Sequence, residues 1–290
     1  MKETNSPQEN AVPTALERAQ RLEQEFAQPK QLKLWHEDMR GISKRLSASA
    51  LFAVRDKRMP RERHTDRVVA SLQNVSMKYS GVELDQDDHL VFMQLVHFAR
   101  KEPLGVTVRI TGRAALKELG WDTSKESYDR LRDSYKRLLE GTVYIDVDMV
   151  GQKGRKKLYG AHLLNAVTAD ELMADTPQAE WTIKLNPDLA NLLTGDEMTM
   201  IEWVRHYKLS PLARWLNSFY STHESPLPYK AATLGSLCGS TQADERGFRF
   251  RLKKALEELK AGQFISEYTI GPKPSYLVSV KRLPVRAALG

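Results

Sequence analysis

Residues 111–147, TGRAALKELGWDTSKESYDRLRDSYKRLLEGTVYIDV, and residues 230–268, KAATLGSLCGSTQADERGFRFRLKKALEELKAGQFISEY, carry one pattern twice: a short helix, a tight turn, a long basic helix ending at a glycine, then a strand. Leu116 and Leu119 in the first copy correspond to Leu234 and Leu237 in the second. In the long helices, Leu131, Tyr135 and Leu138 correspond to Leu252, Leu256 and Leu259, at the i, i+4, i+7 spacing that puts side chains on one buried face. Gly141 and Gly262 follow these runs, where a glycine is expected to supply the left-handed residue that ends a helix. Helix, turn, basic helix and β-ribbon is the layout of a winged-helix unit. The expected fold is therefore α+β, two tandem winged-helix domains behind a largely disordered N-terminal tail, an arrangement suited to reading double-stranded DNA.

Composition agrees with such a partner. The chain has 290 residues, enough for two cores, with a formal net charge of +7. A basic surface attracts nucleic acid or anionic membrane. No run of 18 apolar residues occurs and the N-terminus lacks the form of a signal peptide, so a cytoplasmic protein without a membrane partner is expected. The single cysteine, Cys238, excludes internal disulfides and cysteine-rich zinc sites and reads as a small buried residue.

Composition shifts divide the chain into a flexible tail over 1–50, a first winged-helix domain over 51–168, a connecting region over 169–207, a second domain over 208–282 and a short tail over 283–290. The tail is poor in core-forming residues. Between Arg40 and Arg67 lie nine Lys/Arg and three Asp/Glu, so this segment holds +6 of the +7 net charge, a concentration that counterion release could exploit and that could equally be a solvated linker. Val68 to Leu84 reads as a hairpin with Ser80-Gly81 as its turn, and Asp87 and Asp88 open a helix to about Lys101. Asn186-Pro187 and Ser210-Pro211 each open a further helix, a capping residue followed by the residue best tolerated at the first helical position. The first ribbon is expected from Thr142–Val150 and Leu158–Thr168, with the second from Gln263–Ile270 and Tyr276–Arg282.

Candidate DNA contacts come from the long helices and the ribbon tips. In the first helix these are Lys125, Ser127, Arg130, Arg132, Lys136 and Arg137, and in the second Arg246, Arg249, Arg251, Lys253 and Lys254. Arginine can bind guanine O6 and N7 with two bonds, which makes Arg130, Arg132, Arg249 and Arg251 the first candidates for base contacts. The first ribbon tip, with Lys153, Arg155, Lys156 and Lys157, can reach phosphates, whereas the second tip carries only Lys273. The first unit is therefore expected to contact more backbone. For each of these cations the alternative is a solvated face balanced by Asp129, Asp133, Glu257 and Glu258.

Short motifs in a particular order add a family resemblance. Ala48 to Phe52, Met59-Pro60-Arg61-Glu62, Tyr79-Ser80-Gly81-Val82-Glu83-Leu84, Glu118-Leu119-Gly120-Trp121, Lys208-Leu209-Ser210-Pro211-Leu212-Ala213-Arg214 and Leu237-Cys238-Gly239-Ser240 resemble the TrfA-type plasmid replication initiators, from about Gln31 to Arg282. The resemblance implies an initiator that binds direct repeats (iterons) at a plasmid origin, opens the adjacent duplex and brings in the host initiator and replicative helicase, with a homodimer as a further partner state. It also implies that Gln31, Leu32, Leu34 and Trp35, in the cluster Gln31-Leu32-Lys33-Leu34-Trp35, form a peptide for the bacterial sliding clamp. Lys33 and Trp35 depart from that peptide's usual pattern.

Catalysis is not expected. There is no Gly-x-x-x-x-Gly-Lys-Ser/Thr loop, and the seven histidines form no His-x-x-x-His pair. Neither a cofactor nor a metal is implied. The alternatives to an initiator are a transcriptional repressor using the same contacts and a nicking enzyme of rolling-circle replication.

Overall fold

The buried stripes predicted for the two long helices anchor two separate cores. The computed structural model describes residues 32–72, 75–102, 107–148, 156–169, 180–187, 192–193, 197–240 and 245–284. The N-terminal part comprises β1 (Met39–Ser43), α1 (Lys44–Ser47), β2 (Phe52–Ala53), β3 (Arg63–Val69), β4 (Val75–Val82), β5 (Leu84–Asp85) and α2 (Gln86–Ala99). The first repeat follows as β6 (Thr107–Thr111), α3 (Gly112–Leu119), α4 (Lys125–Glu140), β7 (Thr142–Asp148) and β8 (Lys156–His162). After β9 (Leu164–Ala169), β10 (Glu180–Leu185), β11 (Met198–Glu202), α5 (Trp203–His206) and α6 (Pro211–Ser221) comes the second repeat. It is β12 (Tyr229–Lys230), α7 (Ala231–Leu237), α8 (Glu245–Ala261), β13 (Ile265–Ile270) and β14 (Leu277–Arg282).

Leu131, Tyr135 and Leu138 bury against Leu90, Leu116, Val143 and Trp181 in the first core. Leu252, Leu256 and Leu259 bury with Trp215, Leu216, Phe219 and Leu234 in the second. In each repeat the hairpin packs behind the long helix. β7 pairs with β8 and with β4 inside the order β3-β4-β7-β8, with Met77 opposite Ile145 and Tyr79 opposite Val143. In the second repeat the order is β12-β14-β13. The short helices α3 and α7 end alike: Trp121 N donates to Leu116 O and Ser240 N to Gly235 O, closed by Gly120 and Gly239 at φ 67° and 62°. That left-handed cap turns the chain into the next helix, and only glycine adopts it without strain.

Several expectations need correction. The tail is shorter than 1–50: β1 pairs antiparallel with β11, and Leu32, Ile42, Leu46, Leu51 and Phe52 lie in the first core, because the hydrophobic positions here are few but most of those described are buried. The connecting region 169–207 is built into that part of the molecule, with β10 paired to β6 and β9 and β11 paired to β1. The helix expected after Asn186-Pro187 falls largely outside the described residues. Residues 164–168 form β9 in a different sheet, not the end of the first ribbon. Ser80-Gly81 lies within β4, and the chain reverses between β3 and β4 instead. Gly141 is extended (φ −73°, ψ 130°), not left-handed. It is needed for closeness, since a Cβ there would lie 2.5 Å from Tyr79 Oη. At the end of α8 the left-handed residue is Gln263 (φ 56°), while Phe264 N donates to Leu259 O.

The N-terminus of α2 holds three buried carboxylates, Asp85, Asp87 and Asp88. Asp85 accepts from the backbone N–H groups of Asp87 and Asp88, and Asp88 accepts from Asp85 N, a reciprocal cap that also suits the positive end of a helix. Cations from three other parts of the chain converge on it. Lys57 and Arg130 pair with Asp87 at 2.7 and 2.5 Å, Arg214 joins them at 3.3 Å, Arg61 pairs with Asp85 at 2.7 Å, and Arg137 pairs with Asp88 at 2.7 Å. Burial pushes the Asp87 carboxyl up, but Arg130, Lys57 and Arg214 overcome it and hold the group well below its usual range. α4 and α6, one from each core, are thus clamped to a single helix end.

Breaking a buried pair from one side strands a charge, so Asp88→Asn is expected to lower unfolding free energy by about 3 kcal/mol, measurable by urea denaturation. An unchanged midpoint would contradict this role. A second expectation concerns pH. Burial, aided by Arg214, pushes the His89 imidazole down to about 3; burial, aided by Arg40 and Arg100 against Glu37, does the same to His97; and burial drives His206 well below its usual value of 6.5. The folded state keeps these rings neutral while the unfolded chain takes up protons below 6.5, so their stability contribution is complete above that pH and falls as pH drops below it, down to about 3 for His89 and His97. Each ring costs about 1.4 kcal/mol per pH unit in that window. Thermal midpoints should fall steeply between about pH 6.5 and 5, above the range where the low-lying carboxylates titrate, and His89→Phe should flatten the fall.

Candidate nucleic-acid interface

The helix α8 turns one face to the second core through Phe248, Leu252, Ala255, Leu256 and Leu259, and another to solvent. On the outer face Arg246, Lys253, Lys254 and Lys260 are exposed, against Glu245 and Glu257. Beside this face, between α8 and the β13–β14 hairpin, runs an open groove of about 700 Å³ floored by Tyr268, Thr269, Ile270 and Tyr276. Arg249 lies at its rim, its guanidinium 4.2 Å from the centre of the Tyr276 ring and 3.4 Å from Glu245. Stacking and a weak i,i+4 pair hold that planar group at the groove without burying it. Lys253 lies 3.8 Å from Glu257, an exposed pair that a phosphate can readily replace. Lys273 is exposed at the hairpin tip.

Arg251 faces the other way. It is half-buried, bonds Ser240 at 3.1 Å and reaches toward the α7–α8 turn, because position 251 adjoins the buried stripe and not the outer one. Cys238 beside that turn is fully buried, and burial pushes its thiol up to about 12, as suits a packing residue.

The first long helix is different. Arg130 and Arg137, expected as DNA contacts, are bound to Asp87 and Asp88, and Arg130 also stacks 3.7 Å from the Trp121 ring centre. Ser127 is buried and donates to Asp122 at 2.6 Å. Arg132 pairs with Asp129. What α4 exposes is Lys125 and Lys136 against Glu126, Asp133 and Glu140, so its outer face is not cationic. The helix face was legible in the sequence; the carboxylates of α2 that engage it from 43 and 49 positions away were not. Lys153 and Arg155 at the first ribbon tip lie outside the described residues, and Lys156 and Lys157 enter β8 opposite Asp148 and Val147.

The same long-range pairing absorbs most of the basic run from Arg40 to Arg67. Arg40 meets Glu118, Arg45 meets Glu197, Arg55 meets Glu83, Lys57 meets Asp87, Arg61 meets Asp85 and Asp88, and Arg63 meets Glu140. Arg40, Arg45, Arg55 and Arg61 are thereby drawn inward, whereas Lys57, Arg58 and Arg63 stay largely exposed at the surface. The residues of the clamp-peptide expectation are likewise engaged: Leu32 is 1% exposed in the first core, and Trp35 Nε1 donates to His97 Nδ1 at 3.0 Å under the Arg100 guanidinium. Only Leu34, 72% exposed, is presented, and Gln31 lies outside the described residues. Composition suggests a free segment here, residues 1–50 being poor in core-forming side chains, and the docking role is what the family resemblance implies.

Among the described residues no group of three or more His, Cys, Asp or Glu side chains could hold a metal, and no helix is long and apolar enough to cross a membrane. The groove on α8 can accept a polyanion with planar bases; among the described residues that line it there is no nucleophile beside a base.

Comparison with solved structures places the fold near domains 2 and 3 of RctB. A selenomethionine crystal form matches with a TM-score of 0.56 at 14% identity, covering 80% of this chain and 95% of that one, and a second crystal structure of the same domains gives 0.52 at 13% identity, covering 81% of this chain and 95% of that one. In sequence, the plasmid replication initiator protein TrfA of Escherichia coli is 28% identical over 233 residues, 80% of this chain. The match spans 59% of that relative's own length. The sequence profile described as "TrfA protein" matches residues 14–273. The chain belongs to the TrfA family.

Proposed function

We propose that this chain is a plasmid replication initiator that binds direct repeats at its origin, with both repeats acting as winged helices and α8 as the principal reading helix. The observation that carries this reading is the outer face of α8, where Arg246, Arg249 and Lys253 border an open groove and Lys254 is exposed beside them, in a chain of the TrfA family. A helix of this length and charge fits the major groove, where Arg246 and Arg249 can address base edges and Lys253 and Lys254 phosphates. Lys273 at the hairpin tip extends the phosphate contacts along the backbone.

The first unit takes a lesser share. Lys125 and Lys136 on α4, with the ribbon-tip residues Lys153, Arg155, Lys156 and Lys157, would contact backbone, while Arg130 and Arg137 tie α4 to the start of α2 and Arg214 on α6 ties the second unit to the same helix end. That shared anchorage suits binding in which both units meet one duplex at a set spacing. A sliding clamp could not engage Leu32 and Trp35 while both are packed, so clamp binding forms no part of this reading. Arrays of bound copies would load an adjacent AT-rich segment and provide a platform for host replication proteins.

Footprinting the full chain on the origin of the plasmid it maintains tests the reading directly: protection should recur at the spacing of direct repeats. One isolated protected operator, with replication unaffected by loss of the protein, would favour a repressor instead. On a repeat duplex, Lys253→Ala with Lys254→Ala should make the dependence of log K on log salt shallower by roughly 0.9 for each phosphate that is no longer neutralised, with base preference kept. Arg249→Ala should cost about 1–3 kcal/mol on the cognate duplex and less on random DNA. Equal losses on both duplexes would remove Arg249 from base reading.

A further inference from the structure

Phe250 is 62% exposed, and among the described side chains it is the only exposed Phe, Tyr or Trp. Its position makes this unusual. On α8 it lies one turn after Arg246 and one turn before Lys253 and Lys254, in the middle of the cationic face, and it borders the groove beside the hairpin. Lys254 Nζ sits 4.6 Å from the ring centre. The core stripe of the same helix is complete without it, through Phe248, Leu252, Leu256 and Leu259. A single exposed apolar side chain is ordinarily unremarkable. One enclosed by cations cannot dock into an apolar protein surface without burying those charges, so the partner that covers it must be anionic around an apolar point.

In a DNA major groove the apolar point between phosphate rows is the thymine C5-methyl group. We infer that Phe250 is a specificity-determining residue of α8, reading the 5-methyl of a thymine while the cations around it hold the backbone. The inference rests on the reading of α8 as the recognition helix and adds the base that its centre selects. Arginines at 246 and 249 favour guanine; Phe250 adds a thymine within about one helical turn of them.

Removing the methyl from the DNA isolates this contact. A short duplex selected by the full chain from a randomised pool is prepared with thymine and, position by position, with uracil, which keeps every hydrogen-bonding group. The unmodified protein should lose roughly fourfold in Kd at one uracil position, the loss expected for one methyl-sized group. Phe250→Ala should bind the thymine duplex as weakly as the unmodified protein binds the uracil duplex and show no thymine preference there, while Phe250→Leu should keep most of it. Both are surface changes, and equal thermal midpoints show that the fold is intact. A thymine-to-uracil ratio that Phe250→Ala leaves unchanged overturns the inference but leaves α8 as the reading helix. Equal weakening of thymine and uracil duplexes, or loss confined to single-stranded DNA, also overturns it and points to stacking. Failure of the unmodified chain to select any duplex sinks both this contact and the function proposed above.

Discussion

The carboxylates at the start of α2 are the constraint around which the molecule is arranged. Asp85, Asp87 and Asp88 sit together at a helix N-terminus, a place that tolerates negative charge but not, unaided, three buried groups. Lys57, Arg61, Arg130, Arg137 and Arg214 supply the balance from the N-terminal segment, α4 and α6. Such a cluster is weak evidence of net stability, since desolvating each ion offsets much of the attraction. Its effect is geometric. Guanidinium groups with planar, forked bonds permit few arrangements of the helices that carry them, so the two cores are held in one relative orientation.

This arrangement divides the cations into two populations. Arg40, Arg55, Arg61 and the arginines of α4 face carboxylates within the chain, and α8 turns Arg246, Lys253, Lys254 and Lys260 toward solvent. A net charge does not reveal which of its members are already neutralised. The second repeat, whose shorter wing with one charge suggests fewer backbone contacts, exposes four cations against two acids on the outer face of α8, and among the described residues no acidic helix packs over it.

What the sequence disclosed and what it concealed follow the range of the interactions. The stripes Leu131/Tyr135/Leu138 and Leu252/Leu256/Leu259, the paired β7–β8 and β13–β14 hairpins and the Ser210-Pro211 helix start are local or periodic, and they were legible. The engagement of Arg130 by Asp87 and of Arg40 by Glu118 joins residues 43 and 78 positions apart, and no local pattern announces it. Glycine was legible as punctuation but not in kind: Gly120 and Gly239 are left-handed caps, whereas Gly141 is there because Tyr79 leaves no room for a side chain. On α8, the exposure of Lys253 and Lys254 was readable from the helix face. The exposure of Phe250 was not, because that face was read from its charged side chains alone.

The pairing of β1 with β11 has a consequence for biosynthesis. Met39–Ser43 leave the ribosome long before their partner, Met198–Glu202. At ordinary elongation rates of ~5–20 residues per second the interval is about 10–30 s. During that time Ile42 and Leu46 have no complete sheet to bury against, and closure over so long a loop is slow in itself. The nascent chain must therefore carry an unfinished edge at β1 until most of the sequence between the two strands has been made, a window in which a holding chaperone has something definite to protect.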